Sequence, residues 1–198
     1  MKKIIILFSL IISINNSFAI TSLENPTIID AHGKVEVAFS PNGGVTKAII
    51  SEIDRAKHTI LVEAYSFTSK DIAGALLNAK KRGINIRIIL DKSQVGKKYS
   101  SATFFSNLGF NLHIDYKHAI FHNKVMIIDD NAVITGSFNF TNAAEKKNSE
   151  NLLILSDNNQ LASIYTKEFN HNWQNSLDYN EFIKLNNTHI KYKYFYAK

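Results

Sequence analysis

The chain has 198 residues, a formal charge of +6 and an apolar fraction of 45%, enough for one well-buried domain and too little for two comfortable ones. It has no cysteine, which excludes disulfides, thiolate metal sites, cysteine catalysis and a lipid-modified cysteine anchor. The basic balance favours polyanionic partners, whether nucleic acid or an anionic lipid surface, and does not choose between them.

At the N-terminus Lys2 and Lys3 precede an apolar run over 4–14, and Ser17-Phe18-Ala19 offers a small-x-small cleavage site. That layout predicts a signal peptide over 1–19. The run falls short of the roughly 20 residues that span a bilayer, and the alternative is an uncleaved anchor. Cleavage would remove Lys2 and Lys3, lower the formal charge from +6 to +4, and release an exported chain, periplasmic or secreted. Residues 20–33 are polar and read as a linker. The body of the protein is expected over 34–176, with a C-terminal tail over 177–198.

Within the body, Val35, Val37 and Phe39 alternate as in a strand, and Pro41-Asn42-Gly43-Gly44 ends it. Apolar positions at helical spacing predict a helix over 45–57. A strand over 59–67 follows, then Ser69 as the cap of a helix over 70–82 that Gly83 stops. A strand over 84–90, a polar lysine-bearing loop over 91–101, a helix through Phe104 and Phe105, and a strand through Phe110, Leu112 and Ile114 come next. Beyond 121 lie two short apolar strands around the turn Asp129-Asp130-Asn131, a buried strand over 152–155 and a helix over 159–174. This strand–helix alternation predicts an α/β fold, a mixed sheet flanked by helices on both faces, with right-handed crossovers. The tail mixes bases with aromatics over 191–196.

The chemistry concentrates in one stretch: His122, Lys124, Asp129, Gly136, Ser137 and Asn139, spaced as H-x-K-x4-D-x6-G-S-x-N. Strand alternation places His122 and Lys124 on one face and Asp129 on the other, while Ser137 and Asn139 again share a face. An imidazole, an ammonium, a hydroxyl and an amide at adjacent strand ends make an anion site that contains a nucleophile. None of the other histidines has a usual metal-ligand spacing, and Gly43-Gly44 lacks the G-K-[ST] of a phosphate loop.

The pattern resembles the HKD motif of the phospholipase D superfamily, with every fixed residue present. Ala64-Tyr65-Ser66-Phe67-Thr68, Lys80-Lys81-Arg82-Gly83, the run 135–142 and Asn148-Ser149-Glu150-Asn151 extend the likeness over about 35–173. Together they resemble the small, single-motif, secreted endonuclease branch. The resemblance implies His122 as nucleophile through a phosphohistidine, and Lys124 and Asn139 as holders of the non-bridging oxygens. It also implies Glu150 as the carboxylate that orients His122, with Ser137 and Gly136 in support. Asp129, by parity, is expected in a structural ion pair or a turn. No metal or cofactor is required in this scheme.

One imidazole cannot both attack phosphorus and protonate the leaving oxygen on the far side of an in-line displacement. The chain carries one such motif, so a C2 homodimer with the site at the interface is expected. The substrate is expected to be nucleic acid, DNA or RNA. The alternatives are a phosphatidylcholine-type phospholipid and, from another class, a non-catalytic nucleic-acid-binding protein. The lysines over 92–98 lean toward nucleic acid, and apolar rim loops would lean toward lipid.

Overall fold

The computed structural model describes residues 26–96 and 100–195. Its centre is an eight-stranded mixed sheet in the order β1-β7-β6-β5-β2-β3-β4-β8. In chain order these are β1 (Lys34–Ser40), β2 (Thr59–Ala64), β3 (Asn85–Asp91), β4 (Asn111–Asp115), β5 (Lys124–Ile128), β6 (Ala132–Gly136), β7 (Glu150–Ser156) and β8 (Leu177–Asp178). Strands β2, β3 and β4 run parallel. The helices α2 (Lys70–Lys81) and α3 (Ser101–Asn107) make their crossovers, because parallel neighbours cannot be joined by a tight turn. Every other pairing is antiparallel.

The sheet is covered on both faces. Helix α1 (Val45–Arg55), α2 and α3 bury Ile49, Ile53, Ile72, Leu76 and Phe105 against Ile60, Val62, Ile88, Met126 and Ile134. On the other face α5 (Asn159–Asn175) packs Ala162 and Phe169 on Leu61, Ile89, Val125, Ile127 and Val133. The α/β sandwich expected from the alternation of elements is therefore present. Ser69 caps α2 as expected, its Oγ accepting from the Ile72 N–H at 3.3 Å; a bond of this kind is worth about 1 kcal/mol.

The structure departs from the sequence reading at the C-terminus. Beyond residue 176 the chain adds β8 to β4 and then forms α6 (Tyr179–Phe195), whose Tyr179 and Phe182 pack on the first core. The short helix α4 (Asn142–Lys146), capped by Thr141, is also additional. The expected signal peptide over 1–19 and the side chains of the basic-aromatic run over 191–196 lie outside the described residues, as do Lys97 and Lys98. Among the described residues, no helix is long and apolar enough to cross a membrane.

One turn locks the central strands. Asp129 and Asp130 both have positive φ, 53° and 51°, as the central pair of a tight hairpin between β5 and β6 requires. The Asp129 carboxylate accepts from the backbone N–H of Lys57, His58 and Thr59, each at 2.8 Å. The role expected for Asp129 is thus resolved as a turn and backbone clamp; among the described residues it forms no ion pair. Burial pushes its carboxyl up, but the three backbone N–H bonds and the nearby His58 pull it below the ordinary carboxylate range. A depressed value stabilises the fold above the unfolded pKa and loses that contribution as pH falls through the folded one. Asp129→Ala is expected to cost about 2 kcal/mol at pH 7. In urea melts, the gap to the native protein should close as pH drops below about 3.9. A gap unchanged at low pH would contradict the clamp.

Candidate active site

The site lies where β2 ends, β5 begins, β6 ends and β7 begins. Just before β5, the segment carrying His122 is held at each end, by a side chain on one side and by a backbone bond to the end of β2 on the other. The Phe121 N–H donates to the buried Asp91 carboxylate at 2.8 Å, and the Phe121 ring is buried. The Asn123 carbonyl accepts from the Tyr65 N–H at 3.0 Å. Between these anchors His122 is exposed, its ring 4.8 Å from that of Tyr65.

Lys124 is the first residue of β5, paired with Ala64, and is only 7% exposed. Its Nζ donates to the His122 carbonyl at 2.6 Å and lies 5.3 Å from the centre of the Tyr65 ring. Burial lowers its pKa, and the Glu150 carboxylate opposes that shift. The result is a desolvated ammonium with donor capacity left for an anion, a stronger charge toward a phosphate than an exposed lysine offers.

The run Gly136-Ser137-Phe138-Asn139-Phe140 works by alternation. Phe138 and Phe140 are fully buried anchors, and the Phe140 carbonyl accepts from the Thr68 and Ser69 N–H groups at 2.9 Å. Ser137 and Asn139 are thereby turned to the cavity. Asn139 Oδ1 is buried with no hydrogen-bond partner among the described residues. Rotating the amide would put Nδ2 there instead, and an N–H is what a phosphoryl oxygen requires. Gly136 has φ +148°, and a Cβ on it would stand 2.3 Å from the Asn151 carbonyl oxygen. Only glycine lets β6 and β7 close at this point.

Glu150 opens β7. Its Oε2 accepts from Ser137 Oγ at 2.6 Å and its Oε1 from Asn148 Nδ2 at 3.0 Å. Ser137 Oγ in turn accepts from the Asn151 N–H at 3.1 Å. The expected hydrogen bond between His122 and the Glu150 carboxylate is not made in the single chain, where the carboxylate oxygens accept from Ser137 and Asn148. Each oxygen keeps a second lone pair.

His122, Lys124, Gly136, Ser137, Asn139 and Glu150 line one open cavity of about 660 Å³. Asp129 is outside it, at the far end of β5, roughly 17 Å away by strand rise. Lining residues not singled out from the sequence as part of the site include Glu63 of β2, Asn123, and Tyr165 and Glu168 of α5. A lone carboxylate inside the apolar run Thr59–Ala64 was the available signal for Glu63. His118 is paired with the Asp115 carboxylate at 2.9 Å. Among the described residues no three His, Asp or Glu side chains converge as metal ligands would.

An exposed imidazole and a buried ammonium in one cavity, with an amide and a carboxylate–hydroxyl pair on the facing strands, suit attack on a phosphodiester. The family model described as "Cardiolipin synthase, PLD-like domain" matches residues 49–173. The chain belongs to the phospholipase D superfamily. It is accordingly a phosphodiesterase. A phospholipase D of Rickettsia felis is 44% identical over 142 residues, 72% of this chain and 68% of the relative. The crystal structure of Nuc from Salmonella typhimurium, a phospholipase D family member, is 40% identical with a TM-score of 0.70, and covers 74% of this chain and 97% of that one. NucT from Helicobacter pylori, 24% identical with a TM-score of 0.64 and covering 74% of this chain and all of that one, shares the fold.

Two outcomes test this geometry. Deprotonation of Lys124 should set the alkaline limb of the pH–rate profile below the ordinary lysine value of about 10.4. In Glu150→Gln, where the carboxylate no longer supports the charge, the limb should move to still lower pH; an unmoved limb would separate the two groups. Gly136→Ala should cost about 2 kcal/mol in thermal unfolding and lower turnover of the folded fraction as well, since Ser137 and β7 must shift; native turnover would contradict the close approach.

Proposed function

We propose that this protein is an exported, metal-independent, sequence-nonspecific endonuclease that works as a homodimer through a phosphohistidine at His122. The observation that carries the reading is the exposed His122 beside the buried Lys124, whose ammonium donates to the His122 carbonyl while both side chains flank the Tyr65 ring. In the first step a ring nitrogen of His122 attacks phosphorus, the N–P bond forms, and the P–O bond to the leaving alkoxide breaks. Lys124 and the Asn139 amide hold the non-bridging oxygens, where charge concentrates in the transition state. The partner's His122 gives its proton to the leaving oxygen. It then takes one from the water that attacks the phosphohistidine, and the N–P bond breaks.

The dimer is supported by a surface beside the site. Val35, Val37 and Phe39 of β1 are 61%, 52% and 63% exposed, and Leu153 of β7 is 36% exposed. Val35 and Val37 pair with Leu155 and Leu153, and Phe39 and Ser40 with Asn151 and Glu150. This apolar strip therefore runs up to the cavity on the α5 side of the sheet, over the edge strands that α5 leaves uncovered. A second copy seated on it would hide the strip and bring a second motif to the first. The basic charge and the likeness to the secreted endonuclease branch support nucleic acid as substrate. The leader over 1–19 supports export.

The second reading is a phospholipase D acting on phosphatidylcholine-type lipid. Its support is the name carried by the Rickettsia felis relative and the same apolar strip, which would then meet a bilayer.

The test is a paired assay of the mature protein in excess EDTA, on plasmid DNA and on phosphatidylcholine vesicles. Plasmid nicking that survives EDTA and falls by at least about 10³-fold in His122→Ala is the expected result. Choline release with intact plasmid would give the lipid reading instead, and strand binding without turnover would leave the non-catalytic one. Val37→Asp, which places a charge in the strip, should yield a monomer by light scattering with loss of nicking. A fully active Val37→Asp monomer would contradict the shared site.

A further inference from the structure

Glu63 has no part in the reaction above, yet it sits in the wall of the same cavity. It is 4% exposed, in a strand whose neighbours on that face, Leu61, Val125 and Ile127, are apolar. No cation is paired with it among the described residues. Its Oε2 accepts from Asn123 Nδ2 at 2.7 Å and its Oε1 from Asn172 Nδ2 at 2.9 Å. Asn172 is itself 4% exposed, on α5. The charged groups that act on it are acids, Glu168 of α5 and Asp115 of β4. Burial raises its pKa, the two amide bonds lower it, and those acids raise it further. An aliphatic residue would pack here without burying a carboxyl group.

What the carboxyl group does is join two elements. Asn123 stands between His122 and Lys124, and by alternation its side chain leaves on the opposite face from theirs. Backbone pairing to β2 reaches one bond past Lys124, from the Tyr65 N–H to the Asn123 carbonyl, and the Asn123 side chain then fixes how its two neighbours are presented. We propose that Glu63 is a positioning residue: by tying Asn123 to Asn172 it makes α5 the brace of the His122–Lys124 pair. The inference rests on the assignment of those two residues to catalysis. It gives the α5 face of the sheet a role in turnover through the Glu63–Asn172 contact.

The experiment uses the full mature protein on bis(p-nitrophenyl) phosphate, with thermal unfolding measured for each variant. Wild type and His122→Ala are the controls. Glu63→Leu removes both bonds and should lower kcat by roughly 10–100-fold, as small misplacements of reacting groups do, with KM changed less than about twofold. Glu63→Gln can accept from one asparagine and donate to the turned amide of the other, and should restore most of kcat. Asn172→Ala, which cuts only the α5 arm and does not depend on Glu63→Leu folding, should lower kcat in the same direction. Combined with Glu63→Leu it should add little further loss. A lower unfolding midpoint with native kcat in the folded variants would overturn the proposal as a packing effect. Glu63→Gln as inactive as Glu63→Leu would overturn it in favour of a direct proton role. A wild-type protein that does not cleave, or a fully active His122→Ala, would instead overturn the catalytic assignment beneath it.

Discussion

The register of β5 between β2 and β6 is the constraint on which the site depends. Side chains alternate along a strand, so a slip of one residue would carry Lys124 to the α5 face and Val125 to the opposite one. The Asp129 carboxylate blocks that slip by taking the N–H groups of Lys57, His58 and Thr59 at the start of β2. Asp130 adds a bond from the Thr166 hydroxyl of α5 at 2.9 Å. The aspartate of the motif therefore acts on the chemistry from the far end of its own strand. It sets where Lys124 emerges, and it needs no contact with substrate to do so.

At the other end of β5 the same economy governs charge. Lys124 is buried, which is costly for an ammonium, and its partners are the His122 carbonyl and the more distant Glu150 carboxylate. Phe138 and Phe140 hold the facing loop by apolar burial, so Ser137 and Asn139 are displayed without a share in the core. Gly136 lets β7 come close enough for Glu150 to reach Ser137. The unpartnered Asn139 amide oxygen and the desolvated lysine are incomplete as they stand. A bound phosphodiester would take up the lysine's spare donor capacity and, with the amide turned, an N–H of Asn139.

Much of this was legible because it rests on local rules. The alternation of G-S-F-N-F separates anchors from displayed groups, parity removes Asp129 from the phosphate, and Ser69 announces α2. The elements that escaped notice lack such signals. A two-residue β8 is shorter than any periodicity, and α6 follows it with polar and aromatic residues that mark no clear apolar stripe. Glu63 was open to notice as a lone acid in an apolar strand. Its partners, however, are 60 and 109 residues away, and no local pattern joins them. Glu150 was found through the resemblance of Asn148-Ser149-Glu150-Asn151 to the family, but its bonds to Ser137 and Asn148 depend on how β7 is seated against Gly136.

The proposed shared site would make each catalytic event depend on two His122 side chains, one to attack phosphorus and one to carry the proton. The most direct measurement is to mix wild-type and His122→Ala chains in varied proportion, exchange subunits, and record plasmid nicking in EDTA. If one site uses both histidines, activity should fall as the square of the wild-type fraction. A fall in simple proportion to that fraction would mean that each chain acts alone, and would contradict the shared site.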